Sequence, residues 1–156
     1  MPFRPKQPAL CVSTLDSMTD VVSTVRRAAR ATPRQRESVR ILVVDDDPGV
    51  IKVLRRILSA YEVITTTSAR HALVQVSSGL RFDLILCDLM MPEMTGMQLH
   101  SAILDHFPDQ AARMVFLTGG AFDREADAFL RSNGNLSIRK PFDNAELLDL
   151  VSENTC

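Results

Sequence analysis

Five short apolar runs recur along the chain after residue 40, and each is followed by a longer stretch whose apolar positions have helical spacing. The first, third and fourth runs are continuously apolar rather than alternating. That pattern is typical of strands covered on both faces, as in a parallel sheet between helices. The strands are predicted at residues 41–44, 62–65, 84–87, 114–117 and 136–138.

The stretches between the strands contain recognisable helix starts. Asp47 followed by Pro48 indicates an N-cap with proline at the first helical position, and Ser68 indicates a second N-cap. Five helices are predicted to begin near Pro48, Ser68, Gly96, residue 122 and Asp143. Five strand–helix repeats predict a doubly wound α/β fold of the flavodoxin-like (βα)5 type, with a parallel sheet in the order 2-1-3-4-5.

Charge and composition divide the chain near residue 40. Residues 1–40 carry eight Lys/Arg against three acids, whereas residues 41–156 carry ten against sixteen. We therefore expect a basic tail or linker at residues 1–39, with one amphipathic helix over 14–31, and a domain at 40–154. A solvated tail, a helix for dimerisation or partner docking, and a nucleic-acid contact all stay open for the first segment. Nucleic-acid binding is the least favoured, because no helix-turn-helix or aromatic interleaving is recognisable.

Several classes of protein are disfavoured by the composition. No apolar stretch approaches the roughly 20 residues needed to cross a bilayer, and the proline-rich start does not resemble a secretory signal. The cysteines Cys11, Cys87 and Cys156 are far apart in sequence and form no CxxC pair. We expect reduced thiols and a cytoplasmic protein without a membrane segment.

Polar residues of a particular type follow four of the five predicted strands. They are Asp45 and Asp46 after strand 1, Asp88 after strand 3, Thr118 after strand 4 and Lys140 after strand 5. Open parallel sheets bind ligands beyond the carboxyl ends of their strands, where the topology reverses. These side chains are therefore expected to meet at one edge of the sheet.

The three acids in this set indicate a cation. Two carboxylates about 4 Å apart repel by roughly 4 kcal/mol at an effective dielectric constant of about 20. Oxygen ligands suit a hard divalent ion, so we predict Mg²⁺ bound by Asp45, Asp46 and Asp88, with the backbone carbonyl of Met90 as a further ligand. A carboxylate beside such an ion can attack phosphorus and form an acyl phosphate, with Lys140 stabilising the transferred charge.

At this point the sequence resembles the receiver domains of response regulators and hybrid histidine kinases over residues 40–154. The resemblance is carried by residues 43–48 (VVDDDP), 88–96 (DLMMPEMTG), 117–119 (LTG) and 140–142 (KPF). It implies a bacterial two-component phosphorylation switch or relay rather than an enzyme. Its implied partners are a sensor histidine kinase or histidine phosphotransfer protein and a downstream protein target. No DNA-binding domain is expected, and a homodimer is left open.

The same resemblance assigns roles to single residues. Asp88 is implied to be the phosphoacceptor, Asp45 and Asp46 to bind Mg²⁺, and Thr118 and Lys140 to contact the phosphoryl group; the Lys140–Pro141 peptide bond is implied to be cis. One position departs from the family: Ser137 lies three residues before the lysine, where receivers usually carry Tyr or Phe. Phosphorylation is therefore expected to rearrange residues 118–123 without an aromatic rotamer change on strand 5.

Three alternative functions are disfavoured or excluded by the residues present. A haloacid-dehalogenase-type phosphatase would use Asp45 as nucleophile and Asp47 as the second acid, but it lacks the acidic pair expected after Lys140 and leaves Asp88 unexplained. A pseudo-receiver that is never phosphorylated is disfavoured by the complete set of acids, threonine and lysine. A dinucleotide-binding domain is excluded, since no GxGxxG follows the first strand. The histidines His71, His100 and His106 are expected on helix surfaces.

Overall fold

The computed structural model describes residues 38–119 and 124–156. The helix expected over 14–31 and residues 120–123 lie outside this part. Its strands are β1 (Arg40–Val44), β2 (Glu62–Thr66), β3 (Leu84–Asp88), β4 (Met114–Thr118) and β5 (Ser137–Arg139). The described helices are α1 (Pro48–Ile57), α2 (Ala69–Ser77), α3 (Gly96–Leu104), α4 (Pro108–Ala111), α5 (Arg124–Asn133) and α6 (Asn144–Thr155).

The five strands form one parallel sheet in the order β2-β1-β3-β4-β5. The predicted fold class and strand order are therefore confirmed. The β1–β3 register aligns Val44 with Cys87, so that the residues following these two strands emerge side by side. This register places the acids of the two strand ends at one edge of the sheet.

Successive strand residues enter two different cores, as expected for strands whose side chains alternate between faces. On β1, Leu42 and Val44 belong to one apolar cluster, whereas Ile41 and Val43 belong to the other. Helices α2, α3 and α5 cover the first face, and α1 and α6 cover the second. Burial on both faces accounts for the uninterrupted apolar runs of the sequence.

The helix starts follow local capping chemistry. The side chains of Asp47, Ser68 and Asp143 accept hydrogen bonds from backbone N–H groups at the starts of α1, α2 and α6, as predicted. Thr95 caps α3 in a capping box with Gln98, which the sequence interpretation missed.

Two predictions about the middle of the chain were incomplete or wrong. Helix α3 ends at Leu104, and the short helix α4 begins at Pro108, so the described chain has one helix more than the five predicted. His100 is not a surface residue: only 6% of it is exposed. Its position on α3 faces the sheet, where aromatic rings and an amide surround it.

Candidate functional site

Three carboxylates meet where β1 and β3 end. Asp45 and Asp46 follow β1, Asp88 is the last residue of β3, and one oxygen from each lies within 4.8 Å of the others. Asp45 is 1% exposed and Asp88 is 7% exposed, whereas Asp46 lies at the surface. The parallel register thus brings together side chains that are 42 or more positions apart in the chain.

Lys140 reaches into the same cluster from the end of β5. Its Nζ lies 2.6 Å from Oδ2 of Asp45 and 3.1 Å from Oδ1 of Asp88. The Lys140–Pro141 peptide bond is cis, as the resemblance implied. The backbone N–H of Lys140 donates to the carbonyl oxygen of Thr118 at 2.6 Å, so that β4 and β5 together hold the lysine at the sheet edge.

Asp45 and Asp88, the two aspartates that contact Lys140, differ in the number of hydrogen bonds that their carboxylate oxygens already accept. Oδ1 of Asp45 accepts from the backbone N–H of Asp47 at 2.9 Å, and its Oδ2 accepts from Lys140. Asp88 shares only the longer contact to Lys140 among the described side chains. Asp47 itself accepts from the N–H of Gly49 as a helix cap. Asp88 is therefore the buried acid with more oxygen lone pairs available to a reactant.

The electrostatics of the cluster favour a bound cation. Burial raises the pKa of Asp88 above its usual value; Lys140 opposes this, and the neighbouring charges of Asp45 and Asp46 add to it. Burial alone would lower the pKa of Lys140. The hydrogen bonds and charges of Asp45 and Asp88 outweigh that effect, so the pKa of the lysine lies above its usual value. One lysine faces three acids, which leaves negative charge in excess.

The donor set fits Mg²⁺. Opposite ligands of an octahedral magnesium ion are about 4.2 Å apart, and the ion accepts carboxylates and backbone carbonyls as ligands. The oxygens of Asp45, Asp46 and Asp88 lie within 4.8 Å of one another, close enough for all three carboxylates to contact one ion of this size. Met90, whose carbonyl was the fourth predicted ligand, lies two residues beyond β3 and is 47% exposed.

Thr118 lies at the carboxyl end of β4, as predicted, but its hydroxyl is engaged elsewhere. It is 2% exposed, and its Oγ1 donates to the carbonyl oxygen of Ile138 at 3.2 Å. A contact between this hydroxyl and a phosphoryl oxygen requires that bond to break. In the structure, the hydroxyl of Thr118 is therefore paired with β5 and not with the three acids.

The backbone of Gly96 packs closely against the backbone of Asp88 and Leu89. The sequence shows the glycine but did not predict this contact. A Cβ on Gly96 would lie inside contact distance of the Asp88 carbonyl oxygen and 3.2 Å from Sγ of Cys87. The N–H of Gly96 donates to the carbonyl oxygen of Leu89 at 2.9 Å. Cys87 is fully buried, donates to the same Asp88 carbonyl at 3.2 Å, and has its pKa raised by burial. A residue without a side chain is needed for this approach.

Residues 41–152 match the family model described as "Response regulator receiver domain". The chain belongs to this family. Receiver domains are phosphorylation switches of two-component signalling and are generally not enzymes, and bacterial relatives are among those matched.

Two curated proteins are similar in sequence to this chain over the same receiver region. An uncharacterized 14.6 kDa protein of Leptolyngbya boryana is 35% identical over 115 residues, which cover 72% of this chain and 87% of that protein. The transcriptional regulatory protein GlrR of Escherichia coli is 32% identical over 115 residues, which again cover 72% of this chain but only 25% of GlrR. This chain thus matches one part of that longer regulator.

Solved receiver structures resemble this fold. The signal receiver domain of a signal transduction histidine kinase from Syntrophus aciditrophicus superimposes with a TM-score of 0.66 at 29% identity, covering 76% of this chain and 90% of that one.

Among the described helices of this receiver domain, none has the length and apolar character to span a membrane.

Proposed function

We propose that this receiver domain accepts a phosphoryl group on Asp88 from a phosphohistidine of a sensor kinase or phosphotransfer protein. One carboxylate oxygen of Asp88 attacks phosphorus while the bond from phosphorus to the histidine nitrogen breaks. The products are an aspartyl phosphate and a free imidazole. The observation that carries the proposal is the convergence of Asp45, Asp46 and Asp88 with Lys140 at one sheet edge.

Each side chain has a role that follows from its position. Asp45, Asp46 and Asp88, with the carbonyl of Met90, would hold Mg²⁺, which supplies neutralisation of the phosphoryl oxygens when bound. Nζ of Lys140 lies 3.1 Å from Oδ1 of Asp88. From this position the ammonium group can stabilise the negative charge of a phosphoryl group bound to Asp88. Thr118 would exchange the Ile138 carbonyl for a phosphoryl oxygen.

Accessibility supports Asp88 rather than Asp45 as the nucleophile. The side chain of Asp45 is 1% exposed and that of Asp88 is 10% exposed, and both oxygens of Asp45 already accept hydrogen bonds. A phosphatase that attacks through Asp45 would first have to free one of these oxygens from Asp47 N–H or Lys140. The geometry therefore disfavours the haloacid-dehalogenase alternative.

The test is labelling of the full chain by acetyl phosphate in the presence and absence of Mg²⁺, followed as a mass increase of the intact protein. We expect labelling of the wild type that chelation of Mg²⁺ abolishes, and none in Asp88→Asn. Asp47→Asn is the matched control, because asparagine also caps helices and Asp47 is no part of the proposed site. The phosphatase alternative needs Asp47, so loss of labelling in Asp47→Asn with retention in Asp88→Asn contradicts the proposal.

The remaining partners and the location are part of the same proposal. The phosphoryl donor is a histidine kinase or phosphotransfer protein, and the output passes to a downstream protein target. The buried, reduced Cys87 and the absence of a disulfide among the described cysteines are compatible with a cytoplasmic location.

A further inference from the structure

Helices α1 and α6 are neighbours on one face of the sheet. The α1 helix packs on β1 and β2, whereas α6 packs on β3, and β1 and β3 are adjacent strands. Leu54 of α1 and Leu147 of α6 are fully buried in the same apolar cluster. Because both helices follow strands of one parallel sheet, they run in the same direction and present one continuous outer surface.

The outer side of α1 is basic. Lys52, Arg55 and Arg56 are exposed, and they lie on the side of the helix opposite buried Leu54. We call these three residues the basic stripe. The helix contains no acidic residue. Lys52 and Arg56 are one turn apart, which separates them by about 6 Å along the helix axis.

The outer side of α6 is acidic. Glu146, Asp149 and Glu153 are exposed on the side opposite buried Leu147, and we call them the acidic stripe. The helix contains no lysine or arginine. Asp149 and Glu153 are also one turn apart, again about 6 Å along the axis. The spacing of charges in the acidic stripe therefore matches the spacing in the basic stripe.

The charges of both stripes are left unpaired within the described part of the chain. The ion pairs there join other residues. Two large apolar side chains are exposed beside the stripes, Val53 of α1 at 53% and Leu148 of α6 at 38%. The surface thus combines unpaired charges of both signs with some accessible apolar area, as the contact regions of weakly associating proteins do.

We propose that the basic and acidic stripes form a docking surface for a second copy of this chain. A two-fold axis parallel to the helices sets α1 of each copy on α6 of the other, so that both contacts join opposite charges. Lys52 is the fifth residue of α1 and Asp149 the sixth of α6. Lys52 therefore lies level with the partner's Asp149, and Arg56 with the partner's Glu153.

The same surface disfavours other pairings of two copies. Placing α1 on α1 or α6 on α6 would bring like charges together. Exposed ion pairs contribute little individually and are screened by salt, so the dimer is weak and dissociates as the ionic strength rises. Neither helix carries a residue of the candidate site, and the inference does not depend on phosphorylation of Asp88.

The test is sedimentation equilibrium of the full chain at low and at high ionic strength. One variant reverses the basic stripe (Lys52→Glu with Arg56→Glu), and a second reverses the acidic stripe (Asp149→Lys with Glu153→Lys).

The matched control is Arg70→Glu with Arg124→Glu. Both arginines are exposed, and they lie on α2 and α5, which cover the opposite face of the sheet. This control changes the net charge by the same amount as reversal of the basic stripe.

We expect the wild type and the control to be dimers at low ionic strength and monomers at high ionic strength. Each stripe reversal should raise the dissociation constant at least about tenfold. An equimolar mixture of the two reversed variants should dimerise again, because each reversed stripe then meets a stripe of opposite charge. A wild type that is monomeric at low ionic strength up to millimolar concentration overturns the inference. A dimer that the reversals leave unchanged, or a mixture that stays monomeric, also overturns it.

Discussion

Replacement of Gly96 by alanine tests whether the packing beneath Asp88 positions the proposed phosphoacceptor. A Cβ at this position would lie inside contact distance of the Asp88 carbonyl oxygen and 3.1 Å from Cα of Leu89. Both atoms belong to the backbone, so neither can rotate away as a flexible side chain would. Either the end of β3 or the start of α3 must shift, and the bond from Gly96 N–H to the Leu89 carbonyl resists this shift.

The magnitude follows from two opposing effects. Overpacking of a well-packed site costs about 1–3 kcal/mol, and the better helix propensity of alanine returns up to about 1 kcal/mol. We therefore expect Gly96→Ala to lower the free energy of unfolding by about 1–2 kcal/mol, measured by urea denaturation. Labelling by acetyl phosphate should slow as well, because the displaced carbonyl belongs to the proposed nucleophile.

Gly119→Ala is the control for this experiment. A Cβ at Gly119 would meet nothing within 4 Å, so the free energy of unfolding should change by less than about 0.5 kcal/mol. If Gly96→Ala unfolds at the same urea concentration as the wild type and is labelled at the same rate, the packing argument is refuted.

The remaining predictions concern stability. Burial holds the pKa of His100 below its usual 6.5 despite the bond to Asn135, so the unfolded chain binds a proton first as the pH falls. The resulting stability is present above about pH 6.5 and is lost below it. Urea titrations of His100→Gln at several pH values should give a free energy of unfolding that falls less steeply below about pH 6.5. A fall as steep as that of the wild type contradicts the role given to His100. Gln110→Ala removes the amide that pairs with the backbone N–H and carbonyl of Phe82 at 2.9 and 3.3 Å. It should cost about 2–4 kcal/mol of unfolding free energy in urea; a cost below about 1 kcal/mol contradicts this. Gly79→Ala should cost about 1–2 kcal/mol in the same assay, because residue 79 has φ = 97°, where an alanine is strained. A stability equal to that of the wild type contradicts this prediction.

The sheet could be predicted from the sequence because its signals are local. Continuous apolar runs follow from burial on both faces, and Asp47 and Ser68 carry their capping oxygens in their own side chains. The convergence of Asp45, Asp88 and Lys140 was also predictable, since parallel strands place their carboxyl ends at one edge. The contacts of Lys140 with both acids agree with that prediction.

What the sequence did not reveal depends on packing between distant elements. His100 was placed at the surface because a histidine on a helix gives no indication of which face it occupies; its amide partner Asn135 is 35 positions away. Helix α4 was missed because four residues are too few for a periodic pattern, and buried Gln110 within it bonds to Phe82 across 28 positions. The engagement of Thr118 with Ile138 likewise needs the β4–β5 register.

The most direct test of the account identifies the residue that carries the phosphoryl group. The full chain is incubated with acetyl phosphate and Mg²⁺, the acyl phosphate is reduced with borohydride, and the modified residue is located by peptide mass spectrometry. Reduction converts a phosphorylated aspartate to homoserine, and the account predicts homoserine at position 88. Homoserine at position 45 contradicts it. So does a result in which no aspartate of the folded protein is converted to homoserine although Mg²⁺ is present.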